Sequence, residues 1–420
     1  MKFRITTEQR IVLALLGLCL LGGVITGGQL YYRMSYVWML FFVGNWVWSF
    51  YSLRGIGIHR KARTVRAQLG QVFEERFELH NQSLLPRMWL EVRDESTIPG
   101  LRTSQVFSRI GSREGRSYVA HTRLGRRGVF PLGPTVVYSG DLFGLFPQKR
   151  SFEAHDTLLV YPMVVEVKAF SNPVGPLPGG DSLRRRTHQV TPNAAGVRDY
   201  APGDSFNRIH WLSTARRNRL MVKEFELDPQ SDIWILLDAE LVVHASLPWT
   251  TYSGIGDLLE RSRKVKLPPS TEEYAASIAA SLARYYLRNK RAVGLISYGE
   301  PRTMLPPDRG GRQLMKILES LALWKANGRL QLLGMVESQA SQLPRGSMVI
   351  LVTPSPRDEI VLATDYLTRR GLRPVVVLIK LVTFGGASGM DTVAKRLKVL
   401  RVPVCQVAKG DDLQVALSSL

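Results

Sequence analysis

The amino-acid sequence predicts two N-terminal transmembrane helices, then a β-rich sandwich-like domain, then an α/β domain built on a parallel sheet. Two uncharged apolar runs, 11–30 and 34–53, each reach the roughly 20 residues that a helix needs to cross a bilayer. Short apolar runs separated by turn residues follow, and strands alternate with helices after residue 231. We therefore divide the chain into 1–66, 67–165, a connector at 166–230, and 231–420.

The composition excludes a fold held together by a disulfide framework. Of the 420 residues, 45% are apolar, which is ample for folded cores, and Cys19 and Cys405 are the two cysteines. That cysteine usage suits a reducing compartment. The formal net charge is +21, which favours nucleic acid, anionic lipid or an acidic protein as a partner.

Basic residues flank the two apolar runs unequally. The turn between the runs offers Arg33, whereas the outer flanks carry Lys2, Arg4, Arg10, Arg54, Arg60, Lys61, Arg63 and Arg66. By the positive-inside rule both termini face the cytoplasm, so the sequence predicts a multi-pass protein of the cell (inner) membrane. A cleaved signal peptide is the weaker alternative for the first run, because no convincing A-x-A site is present and a second apolar run follows at once.

The β-rich part is predicted from short runs that suit strands, several of them with period-2 alternation. These runs are 71–79, 87–92, 117–123, 128–132 and 157–161. Turn residues between them favour an antiparallel sandwich or open barrel. The motif Asp-Leu-Phe-Gly-Leu-Phe at 141–146 is interpreted as a tight turn with both phenylalanines packed into the sheet, and a contact site for another subunit is the alternative.

The C-terminal part alternates strands with helices, which predicts a parallel sheet covered on both faces. Strands are predicted at 233–238, 292–297, 348–353, 374–379 and 402–406, and helices after Ser270, around 314–321 and at 358–370. The last strand is placed at the sheet edge because Pro403 cannot donate to a ladder. Functional side chains in such a fold gather at the carboxyl ends of the strands.

No catalytic constellation is recognised along the chain. The G-x-x-x-x-G-K-[ST] phosphate loop is missing, and so are the H-E-x-x-H and C-x-x-C zinc motifs. Ser297 lies at a predicted strand end but lacks the G-x-S-x-G spacing of a nucleophile. The sequence therefore predicts no catalytic residue and no cofactor.

An ordered string between residues 196 and 225 is the most specific signal in the chain. It reads Gly-Val-Arg-Asp-Tyr at 196–200, Pro-Gly-Asp at 202–204, Arg-Ile-His-Trp at 208–211, Ala-Arg at 215–216 and Val-Lys-Glu-Phe at 222–225. The string resembles the signature of domain-of-unknown-function family 58. The resemblance implies a von Willebrand factor A-like (Rossmann-like) fold for 231–420. It also implies that the protein works with a MoxR-type AAA+ ATPase in assembling or activating other complexes. The family itself has no established biochemical activity.

A von Willebrand A-like fold would normally carry a metal site, which this chain does not complete. Such a domain holds Mg²⁺ through D-x-S-x-S, a threonine and a further aspartate, all of them oxygen ligands. Here the first motif reads Asp-Ala-Glu-Leu-Val at 238–242, Arg312 stands where the threonine is expected, and the strand 348–353 ends in Thr353. Asp238 and Glu240 lack hydroxyl partners in this motif, so we expect a degenerate, metal-free site.

The signature string predicts a local network of ion pairs. Pro202-Gly203 suits a type II turn, and Asp204 is placed to cap a short helix that runs through Trp211. Arg198, Arg208 and Arg216 can each bind a carboxylate through two hydrogen bonds, and Asp199, Asp204 and Glu224 are the local candidates. With His210 and Trp211, these are the candidate interdomain or partner-binding residues. In one interpretation they clamp the β-rich and α/β domains together with Trp211 buried. In the other, leftover basic groups form a docking face for an acidic segment of a partner.

Two hypotheses of function follow. The first, which the sequence favours, is a non-catalytic membrane-anchored scaffold or adaptor that binds proteins at the cytoplasmic face. Its expected partners are a MoxR-type AAA+ ATPase, membrane lipid and other membrane proteins. The second is an envelope-associated hydrolase or transferase with Asp199, Asp204 and His210 as acid and base groups. Nucleic acid is not expected, because no recognised nucleic-acid motif accompanies the basic residues, and those after the second apolar run lie where anionic lipid attracts them.

Overall fold

The computed structural model describes residues 6–101, 104–153, 156–170, 194–202, 204, 206, 209–225, 232–249 and 266–418. The chain forms two compact units, each assembled from three stretches of sequence. The first consists of Met1–Val164, Ser246–Ala280 and Leu318–Trp324, and the second of Val165–Ala245, Ser281–Ile317 and Lys325–Leu420.

The α-helices in the described ranges are α1 (Thr7–Thr26), α2 (Gln29–Ser52), α3 (Trp211–Arg217), α4 (Thr271–Arg288), α5 (Gly311–Leu323), α6 (Leu332–Ala340), α7 (Glu359–Arg369), α8 (Met390–Val399) and α9 (Leu413–Leu417). Short 3-10 helices lie at Leu241–Val243 and Leu381–Phe384.

The strands of the first unit are β1 (Ile56–Ala62), β2 (Arg66–Gln68), β3 (Val72–Asn81), β4 (Arg87–Asp94), β5 (Ser104–Ile110), β6 (Gly115–Arg123), β7 (Gly128–Pro131), β8 (Thr135–Ser139), β9 (Gln148–Phe152) and β10 (Thr157–Tyr161). Those of the second unit are β11 (Ala194–Asp199), β12 (Met221–Phe225), β13 (Ile233–Leu237), β14 (Val293–Ser297), β15 (Thr303–Asp308), β16 (Met348–Thr353), β17 (Arg373–Ile379) and β18 (Val404–Val407).

Helices α1 and α2 form an apolar N-terminal pair. Thr6 caps α1 by accepting a hydrogen bond from the Gln9 backbone N–H (3.3 Å), and Gly27 ends the helix at a φ of 63°, where glycine is favoured. With a mean hydropathy of 1.9, α1 is long and apolar enough to cross a membrane, and it is the one helix in the described part of the chain to reach that level. Such a helix near the N-terminus serves as a membrane anchor or as a signal sequence. The second predicted span falls on α2.

The β-rich part of the first unit contains three sheets, with strand orders β1-β3-β6, β2-β10-β7 and β5-β4-β8-β9. The predicted strands are confirmed as β3, β4, β6, β7 and β10. They were predictable because their side chains alternate or form compact apolar runs. Buried and exposed side chains alternate along β3. Strands β1, β2, β5, β8 and β9 were not predicted. Most side chains of β5 and β9 are exposed and polar, so these two strands leave no apolar pattern.

A buried ion cluster joins strands β1, β3 and β4. The Arg60 guanidinium lies 2.6 Å from a Glu75 carboxylate oxygen and 2.7 Å from an Asp94 carboxylate oxygen. Burial raises the pKa of the Glu75 carboxyl to about 7, although the charge of Arg60 opposes the shift. Arg60 was predicted as a membrane-flanking basic residue, but its charge is used inside the domain instead.

The interpretation of the 141–146 loop is wrong in one respect. The loop is a tight turn, with Gly144 at a φ of 71°, but the two phenylalanines do not pack into the sheet. The Phe143 ring contacts Phe41 of α2 at a centroid distance of 4.9 Å, and the Phe146 ring contacts Phe42 at 5.1 Å. The loop therefore packs against an N-terminal helix.

The second unit is built around a six-stranded sheet with the order β15-β14-β13-β16-β17-β18. Strands β13, β14, β16, β17 and β18 run parallel, and β18 lies at an edge, as predicted. The sheet is not wholly parallel, because β15 pairs with β14 in the antiparallel direction. Continuous burial along β13, β16 and β17 explains why these strands were recognisable as unbroken apolar runs.

One face of this sheet carries a contiguous apolar core. Side chains from the strands, including Leu236, Leu351 and Val376, pack with side chains from helices α6, α7 and α8. Helix α6 was not predicted from the sequence. The arrangement leaves the loops after β13, β16 and β17 at the carboxyl edge of the sheet, where functional groups gather in folds of this type.

Arg127 organises a second buried ion cluster, within the first unit. Its side chain is 2% exposed, and its nitrogens lie 2.7 Å from a Glu272 oxygen and 2.8 Å from a Glu273 oxygen. It also donates to the backbone carbonyls of Leu321 (3.0 Å) and Trp324 (2.8 Å). Burial raises the pKa of the Glu273 carboxyl, and Arg127 opposes that shift. A single guanidinium thus joins the turn before β7 to the first turn of α4 and to the end of α5.

We expect Arg127→Met to lower the free energy of unfolding of the first unit by about 3 kcal/mol, because the change leaves a buried carboxylate and two carbonyls without their donor. Thermal unfolding of the detergent-solubilised chain, followed by tryptophan fluorescence at neutral pH, measures the effect. The neighbouring Arg126 is exposed and provides the control, since Arg126→Met should change stability by no more than about 0.5 kcal/mol. Equal destabilisation by the two substitutions would contradict the role assigned to Arg127.

Candidate functional site

The signature string folds into a two-stranded hairpin with a short helix in its connection. Strands β11 and β12 are antiparallel, with Arg198 opposite Val222 and Asp199 opposite Met221. Ile209 forms an additional bridge to Val222, and its side chain is buried. The residues that make the string recognisable therefore lie close together in space.

Asp204 forms the bidentate pair with Arg198 that was one of the candidates in the signature string. Its carboxylate oxygens accept hydrogen bonds from Arg198 Nη1 (2.7 Å) and Nη2 (2.6 Å). Residues 205, 207 and 208 lie outside the described part of the chain, so the helix cap assigned to Asp204 stays a prediction. The Ala201 backbone N–H also donates to Asp204, at 2.9 Å. A bidentate guanidinium pair of this kind fixes both position and orientation, so Arg198 and Asp204 hold the turn that follows β11.

His210 caps helix α3, a role that the sequence did not assign to it. Its Nδ1 accepts a hydrogen bond from the Ser213 backbone N–H (3.2 Å) at the start of α3. Its own backbone N–H donates to the Met221 carbonyl at 2.7 Å. Trp211 is consequently the first residue of α3 and not the last, and the interpretation of a buried Trp211 is wrong, since its side chain is 68% exposed.

The other predicted site residues are spread over the hairpin. Asp199 forms an exposed ion pair with Arg219 at 3.1 Å, and Arg216 lies exposed in the last turn of α3. Glu224 is part of β12, where its side chain lies outside the described residues, as does the whole of Arg208. The structure therefore brings Arg198 and Asp204 together, while Asp199 and His210 bond to other partners.

Several large apolar side chains of the hairpin point into solvent, a feature that the sequence did not indicate. Leu212 is 61% exposed beside Trp211, and Phe206 is exposed with its ring stacked on Tyr200 at a centroid distance of 6.2 Å. Basic side chains accompany them at Arg216, Arg217 and Arg219. We call Phe206, Trp211, Leu212, Arg216, Arg217 and Arg219 the signature face.

Asp238 lies at the carboxyl end of β13, as predicted, and is completely enclosed. Thr353 Oγ1 at the end of β16 donates to one carboxylate oxygen (2.6 Å), and the Glu240 backbone N–H donates to the other (3.1 Å). Burial raises the pKa of the Asp238 carboxyl to about 6, and these two hydrogen bonds oppose the rise. Thr353 stands at the strand end where the metal site of a von Willebrand A-like domain would have an aspartate. It is a direct hydrogen-bond partner of Asp238.

An arginine supplies the positive charge beside Glu240. Arg357 Nη1 lies 2.9 Å and 3.0 Å from the two Glu240 carboxylate oxygens and 3.8 Å from an oxygen of Glu359. Arg312 is exposed in the first turn of α5. The described residues contain no group of three or more His, Cys, Asp or Glu side chains that could hold a metal ion. Arg357 was not among the predicted site residues because it lies 117 residues from Glu240 along the chain. The absence of a bound metal at this site stays a prediction.

The profile of the family described as "Protein of unknown function DUF58" matches residues 196–246, which include the signature hairpin, β13 and Asp238. This match supports the resemblance drawn from the signature. The uncharacterized protein YeaD of Bacillus subtilis (strain 168) is 29% identical to this chain over 189 residues, which is 44% of this chain and 40% of that protein. The chain therefore aligns with less than half of the relative's length.

Two solved structures align with a quarter of the chain. A CARDB domain from Pyrococcus furiosus in complex with di-metal ions is 11% identical, with 25% of this chain and 91% of that chain covered and a TM-score of 0.19. The C-terminal domain of wzt is 9% identical, with 25% and 73% covered and a TM-score of 0.18. At these TM-scores neither similarity carries information about function.

Asp238→Asn should change how stability depends on pH. The folded-state pKa of Asp238, about 6, exceeds its ordinary value of 3.8, so the folded protein binds the extra proton and loses stability as pH rises through this window. The free energy of unfolding of the variant minus that of the wild type, measured by denaturant titration, should therefore increase from about pH 4 to about pH 6, by up to about 3 kcal/mol. The exposed Asp391→Asn is the control and should give a constant difference. A constant difference for Asp238→Asn would contradict a raised pKa.

Asp204→Asn should loosen the signature hairpin, because it removes the charge that Arg198 grips with two hydrogen bonds. We expect amide hydrogen exchange of Ala201 and of β11 and β12 to accelerate about fivefold, the equivalent of about 1 kcal/mol. Asp199→Asn removes an exposed pair and should leave the exchange rates nearly unchanged. If both substitutions accelerate exchange equally, the Arg198–Asp204 pair does not hold the turn.

Proposed function

We propose that this chain is a non-catalytic, membrane-anchored adaptor that binds a protein partner at the cytoplasmic face through the signature face. The exposure of Trp211 and Leu212 beside arginines carries the proposal. Tryptophan and arginine are enriched among the residues that dominate protein–protein binding energies, and grouped exposed apolar side chains mark interaction sites.

The anchor in this proposal comprises both N-terminal helices. Helix α2 has 24 residues and, at about 1.5 Å per residue, is long enough for a hydrocarbon layer of about 30 Å. Tyr31, Tyr32, Trp48 and Tyr51 lie near its ends, where aromatic side chains favour the membrane interface. With the basic residues on the outer flanks, two spans leave both compact units in the cytoplasm, at the surface of the inner membrane.

We further propose that residues 231–420 form a von Willebrand A-like domain whose metal position is replaced by internal bonds. Asp238 at the end of β13 and Thr353 at the end of β16 occupy the carboxyl edge of the sheet, where such domains bind their cation. Arg357 pairs with Glu240 at that edge and supplies the positive charge that a cation would bring. An adaptor of this type would bind partners without metal-dependent adhesion.

The partner that the family resemblance implies is a MoxR-type AAA+ ATPase, with other membrane proteins as the complexes that are assembled. The basic side chains of the signature face favour an acidic segment of that partner. The alternative, an envelope-associated hydrolase or transferase, draws no support from the geometry. Asp204 is held by Arg198, His210 caps α3 and Asp199 pairs with Arg219, so these candidate acid and base groups have structural partners.

Trp211→Ala should weaken binding to the ATPase at least tenfold, because a central exposed tryptophan contributes about 1.4 kcal/mol or more to an interface of this type. The measurement uses the full chain in lipid nanodiscs and a purified MoxR-type AAA+ ATPase of the same cell, with the dissociation constant determined by biolayer interferometry.

The control for this experiment is Leu362→Ala, which truncates an exposed apolar side chain on α7 and should leave the affinity unchanged. Wild-type affinity for Trp211→Ala would contradict docking through the signature face. Lack of binding by the wild type would exclude the ATPase as the direct partner.

A further inference from the structure

The loop Asp141–Phe146 binds three of its own backbone N–H groups through the side chain of Asp141. The buried Asp141 carboxylate accepts hydrogen bonds from the backbone N–H groups of Phe143 (3.0 Å), Leu145 (3.0 Å) and Phe146 (2.6 Å). The Asp141 carbonyl in turn lies 3.4 Å from Trp89 Nε1, which donates to it. A charged side chain therefore serves here to neutralise main-chain donors, and the loop has a single defined shape.

Polar side chains of the N-terminal helices bind the carbonyls of the same loop. Gln9 Nε2 of α1 donates to the Leu145 carbonyl at 2.6 Å, and Ser49 Oγ of α2 donates to the Phe146 carbonyl. Ser49 is buried by this contact. Irregular backbone is tolerated at membrane depth only where its polar groups are satisfied by protein, and this loop meets that condition at five of its groups.

The loop also reaches far along α2. Phe143 packs on Phe41, and the distance along the helix axis from Phe41 to the end of α2 at Ser52 is about 16 Å at a rise of about 1.5 Å per residue. Half of a bilayer's hydrocarbon layer is about 15 Å. If Ser52 lies at the membrane surface, Phe143 therefore lies near the middle of the bilayer.

The outward side of the loop is apolar. Leu142 is 61% exposed and Phe143 is 60% exposed. A groove of about 440 Å³ separates Leu142 from α2 and is lined there by Leu40, Gly44 and Trp48. Exposed apolar side chains next to a membrane-crossing helix have lipid acyl chains as their natural neighbours.

We propose that residues 141–146 enter the cytoplasmic half of the bilayer beside α2 as a re-entrant wedge, with Leu142 and Phe143 in contact with acyl chains. The inference rests on the proposed membrane insertion of α2. In this arrangement the β-rich part of the first unit is attached to the bilayer by the loop 141–146 as well as by the N-terminal helices. The lipid-facing groove beside Leu142 is the place where an acyl chain fits.

Depth-dependent fluorescence quenching tests the wedge. The native cysteines are removed by Cys19→Ala and Cys405→Ser, the latter because serine keeps the hydrogen bond of Cys405 to the Ala416 carbonyl. Single cysteines are then introduced by Phe143→Cys, Leu142→Cys, Val43→Cys or Val106→Cys and labelled with a nitrobenzoxadiazole dye. The full chain is reconstituted in phosphatidylcholine vesicles with or without bromine on the mid-chain carbons.

We expect the label at position 143 or 142 to be quenched within about twofold of the label at position 43, which lies in α2. The label at position 106, on the exposed side of β5, should be unquenched and serves as the matched control. Quenching at 43 without quenching at 143 and 142 would overturn the wedge and leave the anchor intact. Lack of quenching at 43 would instead overturn the membrane insertion of α2, and the wedge with it.

Discussion

A carboxylate that is removed from water needs a positive charge or hydrogen-bond donors beside it, and this constraint shapes the buried sites of the described residues. Arg60 pairs with Glu75 and Asp94, Arg127 with Glu272 and Glu273, and Arg357 with Glu240. Each arginine also has enough donors to bind more than one acceptor at once, which a lysine could not match with the same geometry. Part of the net charge of +21 is therefore structural and is not available for partners.

Two buried carboxylates, Asp141 and Asp238, accept hydrogen bonds from donors other than arginine, and the origin of the donors differs between them. The donors to the Asp141 carboxylate come from its own loop, so they fix the local backbone. The donors to Asp238 include Thr353, which is 115 residues away in the sequence, so that bond ties two strands of the sheet together. One aspartate makes a rigid surface element and the other closes an edge that would otherwise be open to solvent.

Much of the fold was predictable because apolar patterning reports burial directly. Strands β13, β16 and β17 are buried along their length and read as unbroken apolar runs, whereas β3 alternates in period 2. Strand β9 is exposed and basic, so its pairing with β8 is decided by the backbone and leaves no pattern in the side chains. Strand β15 is antiparallel, and the direction of a strand cannot be read from its residues.

The site was predicted as a location and not as a set of contacts. The signature string identified the region of the hairpin and the Arg198–Asp204 pair, but not the cap at His210 or the exposure of Trp211, since several polar residues in a row can each cap a helix. The pairs Arg127–Glu272 and Arg357–Glu240 span 145 and 117 residues, and no local pattern connects such partners. Trp211 is the first residue of α3, directly after the His210 cap, and its side chain is exposed. A side chain that the sequence analysis placed in the core therefore lies on the surface that we assign to a partner.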